Sequence, residues 1–181
     1  MYQEGLKYLE EKEFPILSVT IDGRRGIADV FKAYPVQICQ FHIQKRITTL
    51  LTNNPRSLAG KELYQINKLF IHNRLTEQEL GKTLALYTKR HKEFLNELNE
   101  DGKYQHSRII TALRTYKNQM KSLFIYQRYP QLNIPNTTNH LDGGVNTKIK
   151  EFVRTHRGLK KTRRNKLISR LLNNLGDRNS Y

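Results

Sequence analysis

An α+β fold, mostly helical, is predicted by three features of this 181-residue sequence. Strand and helix patterns alternate within residues 16–51, helical periodicity takes over beyond Pro55, and two more amphipathic helices follow residue 136. Period-2 and period-3.6 apolar spacings separate the two element types.

Residues 2–13 have the spacing of a charged helix with Leu6 and Leu9 inward, ended by Pro15. Ile16 to Asp22 alternates Leu17, Val19 and Ile21 with small polar residues, which predicts a strand. Gly23 and Gly26 mark a turn, and a short helix carries Ile27, Val30 and Phe31 up to Pro35. Val36–Phe41 reads as a second strand and His42–Leu51 as a second helix, so the segment is a βαβ unit with a parallel pair.

Thr76 and Glu79 form a capping-box pattern ahead of Leu80, Leu84, Tyr87, His91, Phe94 and Leu98, which keep the helical period. Asp101-Gly102 breaks that helix, and Ile109, Leu113, Tyr116, Met120 and Leu123 define the next. Such stripes are packing faces. Pro130 and Pro135 mark an irregular connector. Asn139 and Asp142 then read as an N-cap with an acid in the first turn, and Leu141, Val145, Ile149 and Phe152 form one apolar face. A last helix from Thr162 buries Leu167, Ile168, Leu171 and Leu175 and stops at Gly176. The divisions expected are 1–51, 52–135 and 136–181.

The net charge of +16 calls for a polyanionic partner, nucleic acid being the commonest. The cations are spread over several helices, which disfavours a membrane-surface role. Cys39 is the single cysteine, which fits a reducing cytoplasm, and no apolar run is long enough to span a bilayer. The N-terminus lacks the apolar stretch of a signal peptide.

Four features are candidates for chemistry. Asp22 ends a strand just before a glycine turn, where sites gather in open α/β sheets; the plainer alternative is a turn-forming Asp. Asp142 is either a helix-start carboxylate or a ligand, and Gly143-Gly144 beside it costs about 1 kcal/mol per glycine in a helix but lets a partner approach the backbone closely, a nucleic-acid strand being one candidate. Cys39 and His42, two residues apart, lack the second pair a structural zinc needs, so a buried Cys beside a helix-start His is the better reading. The tract holding Lys148, Lys150, Arg154, Arg157, Lys160, Lys161, Arg163, Arg164, Lys166 and Arg170, with His156 among them, contains only Glu151 as an acid. A merely solvated face would mix in acids, so phosphate contacts are favoured.

Taken together, Val-Thr-Ile-Asp22-Gly-Arg-Arg-Gly, Pro35-Val-Gln-Ile-Cys39-Gln-Phe-His42, Asn-Thr-Thr-Asn-His-Leu-Asp142-Gly-Gly and Arg154-Thr-His156-Arg157-Gly158-Leu resemble the mutator-like (IS256-like) DDE transposases of bacterial insertion sequences. The resemblance runs from about residue 14 to 172. It implies an RNase H-like core interrupted by a helical insertion over roughly residues 52–130, and DNA cleavage and strand transfer through two Mg2+ or Mn2+ ions. Asp22 would be the second acid of the triad and Asp142 the third, where the family usually has Glu. Cys39 and His42 would belong to the family pattern. The resemblance further implies DNA partners (transposon ends and target), a multimer, and a bacterial cytoplasm with nucleoid association on DNA.

Nothing between Met1 and Asp22 resembles the first acid. The expectation is therefore the carboxy-terminal part of such an enzyme, inactive alone. The rival is a non-catalytic basic DNA-binding or interaction protein that kept the helices and lost the chemistry.

Overall fold

A computed structural model describes residues 2–24, 26–71, 74–138 and 141–177. The chain divides into two compact units, residues 1–137 and 138–181.

The first unit opens with α1 (Tyr2–Glu11), β1 (Val19–Ile21), α2 (Ile27–Val30), β2 (Val36–Ile38) and α3 (Gln40–Leu51). β1 and β2 pair in parallel, Val19 with Val36 through Ile21 with Ile38. Only three residues of each expected strand join the ladder. Leu17, expected inward, is exposed because it precedes the paired stretch. β2 stops at Ile38 rather than Phe41: the Cys39 N–H still donates to the Ile21 carbonyl at 2.7 Å, and the chain turns into α3 at Gln40. α1 ends at Glu11, before Pro15, and the left-handed Glu13 turns the chain. Leu9, expected inward, is exposed, and Leu6 is half-buried.

The helical part comprises α4 (Leu58–Ile71), α5 (Glu77–Arg90), α6 (Lys92–Asn96), α7 (Ser107–Leu123) and α8 (Ile125–Arg128), then a 3-10 turn at Pro130–Leu132. Its core is continuous with the strands: Ile21, Ile38, Ile43 and Ile47 join Leu63, Phe70, Leu80, Leu84, Tyr116 and Phe124 in one cluster. The Thr76–Glu79 capping box is formed in both directions. The Thr76 backbone N–H holds the Glu79 carboxyl below its ordinary range.

The single helix expected from Leu80 to Leu98 is broken at His91, which closes α5 and bonds the Glu62 carboxylate at 2.7 Å. Leu98 consequently falls outside any helix, in an isolated bridge with Tyr104, and is exposed. Gly102, with positive φ, makes the turn of that hairpin.

Several buried polar groups are paired across elements, as low-dielectric surroundings require. The Tyr116 hydroxyl donates to Asn67 Oδ1 at 2.6 Å, and Asn67 Nδ2 reaches Thr48 Oγ1 at 3.1 Å, which links α7, α4 and α3. Burial pushes the Tyr116 phenol upward, so it stays a neutral donor. Gln37 and Gln40, both buried, each donate from Nε2 to the Leu123 carbonyl at 2.9 Å, and Gln37 Oε1 accepts from the Tyr126 N–H.

The second unit holds a π-helical turn (Leu141–Val145), α9 (Asn146–Thr155) and α10 (Lys161–Asp177). The expected N-cap, Asn139, lies outside the described residues. The turn after it is π rather than α, and its wider coil takes up Gly143 and Gly144, around which a Cβ would meet nothing. Val145, Ile149 and Phe152 are half-buried along one face. Leu167, Ile168 and Leu171, expected buried, are half-buried, and Leu175 lies outside the described side chains.

Candidate active site and basic helices

Asp22 follows β1 directly, at the carboxyl end of the parallel pair. Gly23 follows with φ +80, a left-handed conformation glycine adopts without strain, and a Cβ there would come within 3.1 Å of Ile38. The left-handed backbone is what favours glycine here, and an added Cβ would also press on the Ile38 side chain. The Asp22 carboxylate is 29% exposed. Its Oδ1 accepts the Arg24 backbone N–H at 3.1 Å, and its Oδ2 pairs with Arg24 Nε at 2.9 Å.

Cys39 and His42 flank the start of α3 at the end of β2. Cys39 is fully buried and occupies the N-cap position, with Sγ 3.6 Å from Thr137 Oγ1. His42 is half-buried, and its ring meets Phe41 edge-on at 6.0 Å. Among the described residues, no three His, Cys, Asp or Glu side chains gather as a metal cluster would.

The connector following the 3-10 turn is stitched to these strand ends. Thr20 Oγ1 donates to the Pro135 carbonyl at 3.0 Å, and the Gln40 N–H donates to the Asn136 carbonyl at 2.9 Å. Asn136 Nδ2 donates back to Gln40 Oε1 at 3.2 Å. Sequence reasoning passed over Gln37, Gln40 and Asn136; two buried-facing glutamines flanking Ile38-Cys39 were the signal available.

In the second unit, Asp142 lies in the π turn, and its side chain lies outside the described part. Lys150 and Arg154 stand one turn apart on α9, away from Ile149, Phe152 and Val153, with Arg157 just past the helix end; all three cations are exposed. Lys148, Lys160, Lys161, Arg163, Lys166 and Arg170 are also exposed, whereas Arg164 is half-buried on the apolar side of α10. His156 is used in packing: it closes α9, stacks on Phe152 at 4.3 Å, and its Nδ1 lies 2.9 Å from the Phe152 carbonyl.

Comparison with known families places the chain among the transposases of insertion sequences. The matching family model is the IS66 transposase family, over residues 18–172, and the chain belongs to that family. The mutator-like group suggested by the motif resemblance is not the one matched. No curated protein and no solved structure gives a match. Among the described residues, no helix is long and apolar enough to cross a membrane.

Proposed function

We propose that this chain carries part of the catalytic centre of a DDE-type transposase, with Asp22 and Asp142 as metal-binding carboxylates and α9–α10 as the DNA-binding surface. On this reading the β1–α2–β2 segment is a piece of an RNase H-like core, and the helices from residue 52 onward interrupt it. The observation that carries the reading is the stitching of residues 135–137 to the strand ends beside Asp22.

The donor chemistry suits Mg2+ or Mn2+, since carboxylate oxygens are the hard ligands such cations take. Asp22 fits with one condition: the exposed Arg24 side chain must swing off Oδ2. When bound, a cation pair supplies charge neutralisation and an activated oxygen for in-line attack on a phosphodiester. The chain's own residues would do the rest. Asp22 presents its oxygens at the sheet end, Gly143 and Gly144 leave room for a strand to approach backbone, and the basic helices hold phosphates. The DNA would be transposon ends and target, gripped by a homo-oligomer in a bacterial cytoplasm.

The Arg24 ion pair also favours the rival reading, a transposase-derived DNA-binding protein that no longer takes up metal. Binding of Mn2+, followed by electron paramagnetic resonance, separates the two. Weak binding is expected, lost in Asp22→Ala and in Asp142→Ala and kept in Asp142→Glu, which restores the longer acid. Indifference of Mn2+ uptake to both alanine variants would sink the metal site. With two carboxylates in place of three, the purified 181-residue chain is expected neither to cut nor to join DNA. Mg2+-dependent nicking of a plasmid, abolished by Asp22→Ala, would refute that.

A further inference from the structure

A cavity of about 650 Å3 lies where the end of α3, the loop into α4 and the start of α7 meet. Neither the two acids nor the basic helices make use of it. Its charge is one-sided: Arg56 and Arg108 line it, and no Asp or Glu does. Both arginines are exposed, and among the described residues neither pairs with an acid. Arg108 is steadied by one bond, which its Nη2 donates to the Thr49 carbonyl at 2.6 Å, and the rest of its fork stays open. Ser57 Oγ accepts the Gly60 N–H at 3.1 Å, which leaves the hydroxyl proton to donate to a ligand. Ser107 opens α7 and brings a second hydroxyl to the lining. That end of α7 has no side-chain cap, so the helix dipole adds to the preference for an anion that the guanidinia set.

Two guanidinium forks and two hydroxyls with no acid beside them fit a phosphate, whose paired oxygens match the planar fork. Leu50 and Ile109 add an apolar wall. A free phosphate would leave that wall wet and most of the volume unused. A phosphate carried on a sugar covers the carbon surface as well, and the volume is that of a small-molecule cleft, about 300 to 1,000 Å3. The groove between α5 and α7 is also acid-free, but it offers the point charges of Lys89, Lys92 and Lys117. Its Thr88 hydroxyl is spent on the Leu84 carbonyl.

We propose that the cavity between α3, α4 and α7 binds one phosphodiester of a nucleic-acid strand together with the adjoining sugar. Arg56 and Arg108 take the phosphate oxygens, and Leu50 and Ile109 take the sugar. The first unit thereby gains a DNA contact of its own, apart from α9 and α10 in the second. This site rests on the DNA-binding reading and is independent of the metal site.

Filter binding of the full chain to a labelled duplex over a salt series tests it. Arg56→Gln with Arg108→Gln is expected to weaken binding about tenfold or more and to flatten log affinity against log salt by about 1.8. Arg56→Gln alone breaks no bond among the described residues and is expected to give about half that flattening. Lys89→Gln with Lys117→Gln removes the same charge from the α5–α7 face and is expected to leave the slope at the parent's. Arginine variants that bind like the parent overturn the proposal, as does a lysine variant that flattens the slope equally. Inorganic phosphate, titrated by calorimetry, covers the other source. Saturable binding lost in Arg56→Gln, beside unaltered DNA affinity, makes the cavity a site for a small phosphate, and the proposal falls. Failure of the parent to bind duplex fells the DNA-binding reading and this site together, whereas DNA binding indifferent to the arginines fells the site alone.

Discussion

Replacing Lys150, Arg154 and Arg157 together with Gln is expected to lower affinity for duplex DNA by roughly two to three orders of magnitude near about 0.1 M salt. Each phosphate contact releases condensed counterions, so three lost contacts should flatten the plot of log affinity against log salt by about 2.7. The three side chains are exposed and lie away from the apolar face of α9, so the helix itself should survive the change. Fluorescence anisotropy of a labelled duplex across a salt series reads both quantities. An unaltered slope would move the DNA-binding surface elsewhere on this basic chain. The same change at Arg164 alone should matter less for DNA, because that side chain is half-buried against the apolar side of α10.

Phe70→Ala is expected to destabilise the first unit by about 3 to 5 kcal/mol. Phe70 is fully buried, with its ring edge-on to Tyr116 at 5.6 Å and to Phe124 at 6.0 Å. Truncation forfeits the transfer free energy of the ring, leaves a cavity, and removes two aromatic contacts. The cavity adjoins Tyr116, whose hydroxyl is held by Asn67, so the walls are pinned and collapse poorly. Urea denaturation measures the loss. A shift below about 1 kcal/mol would mean that this cluster is looser than its packing indicates.

The sequence revealed element types better than element limits. The parallel pair, the capping box at Thr76, the packing stripe ending at Leu123 and the turn at Gly102 were all legible, because each is set by local spacing or by glycine's conformational freedom. Strand length was not legible, since alternation continues through Leu17 whether or not a neighbouring strand is there to pair with it. The break at His91 was missed for a related reason. The apolar period runs straight through that residue, whereas in the fold His91 leaves the helical conformation and bonds Glu62, a partner distant in sequence. For the candidate site, the position of Asp22 at the end of a strand was legible from its place between an apolar run and a glycine. The Arg24 pairing and the Gln40–Asn136 bonds were not, because they join residues whose proximity depends on the finished fold.

The doubly accepting carbonyl of Leu123 makes the strands and the helical stretch mutually dependent. Splicing Leu51 directly to Ile134 would remove that carbonyl and the Tyr126 N–H, leaving Gln37 Nε2 with only the Ile38 carbonyl, Gln37 Oε1 without its Tyr126 donor and Gln40 Nε2 without its acceptor. A buried amide without a partner costs about 1 to 3 kcal/mol, so such a deletion carries a penalty beyond its lost apolar area. The helices from α4 to α8 are thus not cargo riding on a self-sufficient scaffold. Evolutionary trimming of this chain would have to rebuild the floor beneath Ile38 before it could discard them.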